Sequence, residues 1–266
     1  MKPASRYLLA TSLALSTLMC AGSEGTQGET GGAAVITYAL IWKDSRPVQA
    51  LDCGAWQVLT DLGYTVRVDV GYVVTYSIQL TECPEEIAWW SPRSRLAWAG
   101  HSEIEDSPTL LQAGWVESLT NPEPIEPGTV WPRNGEASPG PWCGAHYLLA
   151  RADDDTLALP DDVEMYGSTL YLAGSWTAPG QTEPTPFAIR SLLAAGALRD
   201  LEDLSSQVAE TGSVRIEAVR DRAALFDGIT LQDHTDEELG WRVLDALVGD
   251  NLQLRVSPEE DHHDPL

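Results

Sequence analysis

The amino-acid sequence predicts a mainly β protein, an antiparallel β-sandwich with a long proline- and tryptophan-rich loop insertion and one C-terminal helix. Three observations carry that expectation. Apolar and polar side chains alternate over an unusually long run, several shorter apolar runs are bounded by turn residues, and a single segment combines helical periodicity with cap residues at both ends.

Val35 to Trp42 is rich in β-branched and aromatic residues and stops at Lys43-Asp44-Ser45-Arg46-Pro47, so it reads as a first, buried strand. From Tyr64 to Leu80 every even position is apolar or aromatic, while Arg67, Asp69, Thr75, Ser77 and Gln79 stand between. One face of this ribbon is expected to be core and the other wet. At about 3.3 Å per residue a single strand of that length would exceed roughly 50 Å, so a bulge or break is expected near Gly71.

Proline recurs from Pro84 to Pro141, with Trp89, Trp90, Trp98, Trp115 and Trp131 set in polar sequence. Proline denies a sheet its N–H groups, so this region reads as long loop with a short helix near Thr109 to Ser118. A long loop in a compact domain is a place to look for function. Strands are expected again at Cys143 to Ala150, Ser168 to Trp176, Phe187 to Ser191 and Ser213 to Val219, with a partly helical connector from Leu192 to Leu204. Thr235 and Glu238 form a capping box. Leu239, Val243, Leu244, Leu247 and Val248 then make a helical stripe closed by Gly249, and a last strand runs from Leu252 to Val256. Residues 35–256 thus read as one domain, with 84–141 as its loop region and 257–266 as an acidic, histidine-containing tail.

The 40 Asp+Glu against 16 Lys+Arg give a formal charge of -24, which repels phosphate backbones and argues against nucleic-acid binding. Apolar content of 43% and ten tryptophans argue for a packed core over an acidic disordered chain.

The N-terminus reads as an export signal. Lys2 and Arg6 precede an apolar stretch from Tyr7 to Met19, too short to span a bilayer, and Cys20 follows at its end. Residues 21–34 then form a flexible acidic and glycine-rich tether. Cys20 at that junction resembles the lipid-modified cysteine of bacterial lipoproteins, although Leu18 and Met19 stand where that motif has small residues. The alternative is simple cleavage near Ala21 or Gly22. No second stretch of 18 or more apolar residues follows.

If Cys20 is acylated, Cys53, Cys83 and Cys143 remain as disulfide candidates, and in an oxidising compartment two of the three can pair. The reading is one structural disulfide plus one buried cysteine. The chain carries no G-x-S-x-G, H-E-x-x-H, phosphate-loop or dinucleotide-binding glycine pattern, so a non-catalytic role is expected. Histidines are the remaining handles, because neutral imidazole is a common transition-metal ligand. His101 lies in the loop region beside Trp98 and near Glu103 and Glu105. His146 lies on a strand in antiphase to Cys143 and Tyr147. His262 and His263 fall in the charged tail, and His234 at the entry to the helix. The acidic turns Asp153-Asp154-Asp155 and Asp161-Asp162 lack EF-hand spacing and read as solvated.

Asp52-Cys53-Gly54 after the first strand, the alternating ribbon to Leu80, Pro139-Gly140-Pro141-Trp142-Cys143 at the entry to a strand, and Leu225-Phe226-Asp227-Gly228-Ile229 before the helix together resemble the methanobactin-associated MbnP-type proteins. A similar arrangement occurs in uncharacterised bacterial surface lipoproteins. The resemblance covers about half the chain and departs from the group in having one cysteine fewer. It implies a periplasmic β-sandwich, a haem-protein partner and copper held by histidines beside an oxidised tryptophan, which makes His101 and His146 ligand candidates and Trp98 a candidate modified residue. The expectation is therefore an exported protein of the periplasm or outer membrane, attached to the membrane through its N-terminal lipid. It binds a partner or ligand at the cell envelope, with copper binding as the alternative.

Overall fold

A β-branched or aromatic residue at every second position favours extended chain wherever one face can be buried, and strands dominate the molecule accordingly. The computed structural model describes residues 35–83, 110–111, 113–131, 142–201 and 204–258. The strands among them are β1 (Val35–Lys43), β2 (Gln49–Ala50), β3 (Trp56–Leu59), β4 (Thr65–Glu82), β5 (Trp115–Ser118), β6 (Ile125–Trp131), β7 (Trp142–Leu149), β8 (Leu170–Thr177), β9 (Thr185–Ser191), β10 (Ala195–Asp200), β11 (Ser213–Asp221) and β12 (Leu252–Pro258). Two helices accompany them, α1 (Leu204–Thr211) and α2 (Asp236–Val248). The fold is mainly β and sandwich-like, as the sequence predicts.

One sheet has four strands in the order β12-β11-β1-β6, with β1 and β11 parallel and in register from Val35 opposite Ser213 to Lys43 opposite Asp221. Its inward stripe is Ile36, Tyr38 and Leu40 from β1 with Val214, Ile216 and Ala218 from β11. The other sheet has eight strands built around β4. Thr75 at its middle pairs with Trp115 of β5 on one side and Leu149 of β7 on the other.

The ribbon from Tyr64 to Leu80 is one long strand with two register shifts, one between Val68 and Val70 against β8 and one between Thr75 and Ser77 against β7. Each extra residue reverses which face looks inward. Val66 and Val68 enter the main core, then Val73, then Ile78 and Leu80. Val74, out of phase with Val73, instead packs with Val116, Ala152 and Met165 in a second cluster on the opposite face. The expected bulge near Gly71 is present, but the expectation of one buried and one wet face is corrected. Both faces are buried at mid-strand, because the 150–169 segment covers the outer one. Glycine is required beside the first bulge: a Cβ on Gly174 would collide with the Arg67 carbonyl oxygen.

The capping box forms as read. Thr235 Oγ1 accepts from the Glu238 N–H at 3.3 Å, and the Glu238 carboxylate accepts from the Thr235 N–H at 2.9 Å. α2 buries Leu239, Val243, Leu244, Leu247 and Val248, and its Gly240 lies against Ile189 and Ser191 of β9. Its last turn holds no basic residue of its own, yet Arg199 of β10 donates to the Val248 and Gly249 carbonyls at 2.6 and 2.5 Å. That places a cation at the negative end of the helix dipole.

Three further expectations are corrected. The described residues between Thr109 and Ser118 form no helix: Leu110 makes a bridge to Gln79, and Trp115–Ser118 is β5. The loop region also contains β6, whose one proline, Pro127, is tolerated because it is an edge strand. The connector from Leu192 to Leu204 carries strand β10 at its middle, and the extra helix α1 begins only at its last residue, Leu204.

Candidate functional site

The strongest concentration of polar chemistry among the described residues is inside the sandwich. Ile216, Ala218 and Arg220 share one face of β11, so the strand that supplies apolar residues to the core also delivers a guanidinium to it. Arg220 is wholly buried and pairs with both oxygens of Glu117 on β5, one at 2.7 Å and the other through a very short contact. Its Nη1 also reaches the Tyr147 hydroxyl at 2.9 Å and Thr75 Oγ1 at 3.3 Å. Thr75 Oγ1 donates to Glu117 at 2.6 Å, and the guanidinium lies over the Trp42 ring, 4.2 Å from its centre.

Burial alone would lower the Arg220 pKa, but the Glu117 carboxylate and the Tyr147 oxygen outweigh it and hold the pKa above its ordinary value. Burial pushes the Tyr147 hydroxyl up to about 12, with Glu117 adding to the shift and Arg220 opposing it. The cluster joins the two sheets, since Trp42 and Arg220 belong to one and Thr75, Glu117 and Tyr147 to the other. Sequence reading missed it. The available signal was Arg220 standing in phase with Val214, Ile216 and Ala218.

A second polar assembly ties the loops at one end of the sandwich. Arg46 holds Asp227 at 2.8 and 2.5 Å and the Ala223 carbonyl at 2.5 Å, while Arg222 holds Asp44 at 3.0 and 2.7 Å. Asp61 accepts from the Gly228 N–H, and Asp227 accepts from the Asp61 N–H. These carboxylates already have partners.

Of the residues singled out in the sequence, Cys83 and Cys143 form a disulfide with Cα atoms 4.7 Å apart, joining the end of β4 to the start of β7. Cys53 is free and exposed in a short turn at positive φ, which corrects the expectation that the leftover cysteine is buried. His146 projects from the face of β7 opposite Tyr147, between Gln79 of β4 and Leu198 of β10, half-buried. Its Nε2 is buried and has no hydrogen-bond partner among the described residues, and desolvation lowers its pKa. His234 lies near the Glu238 carboxylate at 3.8 Å. Asp153 and Asp162 serve their own surroundings, Asp153 accepting from Thr156 and Asp162 from the Tyr72 hydroxyl. Cys20, Trp98, His101, His262 and His263 lie outside the described residues. Among the described residues no group of three or more His, Cys, Asp or Glu could hold a metal ion, and no helix is long and apolar enough to cross a membrane.

Comparison of the chain with protein-family models, with curated proteins and with solved structures finds no match.

Proposed function

We propose that this is an exported, lipid-anchored, non-catalytic β-sandwich that binds a partner protein or ligand at the bacterial cell envelope, in the periplasm or at the outer membrane. The observation that carries the reading is the Cys83–Cys143 disulfide together with the Leu110–Gln79 bridge. A disulfide suits an oxidising compartment. The two contacts also hold the residues on either side of the tryptophan-rich stretch 84–109: Cys83 is tied to Cys143 of β7, and Leu110 is bridged to Gln79 of β4.

The test has two arms. Mass spectrometry of the mature N-terminus should find diacylglycerol on Cys20; a free Ala21 or Gly22 amine would remove the anchor from this reading. For binding, residues 84–109 are replaced by a short Gly/Ser linker and partner recovery from envelope extracts is compared with the intact chain. Unchanged recovery would rule that stretch out as the interface. A larger deletion through Pro141 is uninformative, because it removes Glu117.

A second reading, copper binding, is favoured by the Nε2 of His146, a desolvated imidazole nitrogen with no hydrogen-bond partner among the described residues. His146 would supply one ligand, and His101 is the candidate for another. Metal analysis of protein purified from its native host decides it: loss of copper in His146→Ala supports it, and the absence of stoichiometric metal in the wild type sinks it.

A further inference from the structure

The sheet edges differ in how well they are closed. β2 is two residues long, and β6 contains Pro127. On β9 the Ala188 N–H, which donates to Asp236 of α2, points away from β8, so Pro186 faces the same way two residues earlier and has no N–H to offer. That edge is blocked twice.

β10 has none of these devices. Leu201 donates to the Cys143 carbonyl, which fixes the pairing phase: Ala195, Ala197 and Arg199 bond to β7, and Gly196, Leu198 and Asp200 turn their N–H and C=O groups outward. No described hydrogen bond uses those outward groups, the register with β7 is unbroken, and Leu198 is 61% exposed on this edge. Beside it, Gly196 leaves a notch walled by the His146 ring and Leu148.

The geometry points to β10 as a pairing edge for a second copy of this chain, antiparallel and centred on Leu198. In that register Leu198 meets its twin, Arg199 faces Ala197, and Asp200 faces Gly196 of the second copy, so no like charges oppose one another. A register centred on Asp200 would set two carboxylates face to face. The pairing extends the eight-stranded sheet across a two-fold axis and buries the exposed leucine. One strand pair is a small interface, so association belongs to the weak, reversible class. The charge of -24 on each copy opposes it at long range, and salt screens that repulsion.

Sedimentation velocity on the full chain in mild detergent, over about 5 to 200 µM protein and at low and high salt, tests the inference. The expected result is a monomer–dimer equilibrium that strengthens with salt. Leu198→Lys and Leu198→Pro should each weaken association roughly tenfold or more, whereas Leu198→Ile should preserve it. The proline removes only an outward N–H, and both variants should keep the wild-type circular dichroism and melting temperature. A chain that stays monomeric at every concentration and salt, or a dimer equally strong in the Lys and Pro variants, overturns the inference. Because the readout is self-association, it is independent of whether Cys20 carries lipid or an envelope partner exists.

Discussion

Arg220 of β11 and Glu117 of β5 form a fully buried, two-point ion pair between the two sheets of the sandwich, with the Thr75 and Tyr147 hydroxyls closing the cluster. Neither charge has access to water, so each depends on the other for its solvation. The pair therefore constrains how the sheets face one another.

Removing one partner should be costly. Arg220→Met or Glu117→Leu alone leaves an uncompensated buried charge and should destabilise the protein by about 3–5 kcal/mol. The double variant should be markedly more stable than the sum of the two losses implies. Urea unfolding of the four proteins in a double-mutant cycle measures this, and simple additivity would show that the pair is not coupled.

The disulfide makes a separate prediction. Cys83 and Cys143 are 60 residues apart, and cross-linking a loop of that length stabilises by up to about 4 kcal/mol through the unfolded chain. The double Cys→Ser variant should lose about 2–4 kcal/mol. In the native protein only Cys53 should react rapidly with a thiol reagent among the cysteines of the body, and a second fast thiol after Cys20 is accounted for would contradict the pairing.

How far the sequence reaches is visible in particular elements. The alternation from Tyr64 to Leu80 and the Thr235–Glu238 capping box are local patterns, and both produce the expected strand and helix. The two changes of phase along β4 are not local, since they depend on where β7 and β8 pair with it. β6 was hidden because proline argues against a strand, whereas an edge strand needs only half of its backbone groups for pairing. Arg220 could be seen to fall on a core-facing position. Its partner Glu117 could not, because an ion pair 103 residues apart in sequence has no periodicity. His146 was correctly placed in antiphase to Tyr147, by strand geometry alone.

The phase change in β4 can be tested directly. A uniform alternation makes Val70 a core residue and Val73 a surface one, whereas Val73 is fully buried and Val70 only half-buried. Val73→Ala should cost about 2 kcal/mol and Val70→Ala less than about 1 kcal/mol. The reverse order in denaturant titrations would restore the unbroken ribbon.

The tyrosines set an alkaline limit on stability. Burial holds the Tyr38 hydroxyl well above its ordinary value, and Tyr147 and Tyr72 are both pushed up to about 12, the latter also by its bond to Asp162. Between the unfolded value near 10 and these folded values the native state keeps protons that the unfolded chain releases, so raising the pH favours unfolding. The stabilisation is complete below about pH 10 and declines above it, by up to about 1.4 kcal/mol per pH unit for a fully buried tyrosine. Denaturant midpoints at pH 8, 10 and 11 should fall accordingly, and absorbance at tyrosinate wavelengths should show one group of tyrosines that ionises only as the protein unfolds. Tyr147→Phe keeps the ring and removes the ionising hydroxyl, so its midpoint should fall less steeply above pH 10 than that of the wild type. An identical slope would mean that Tyr147 ionises in the folded protein as it does in the unfolded chain, which the closed cluster around Arg220 and Glu117 does not allow.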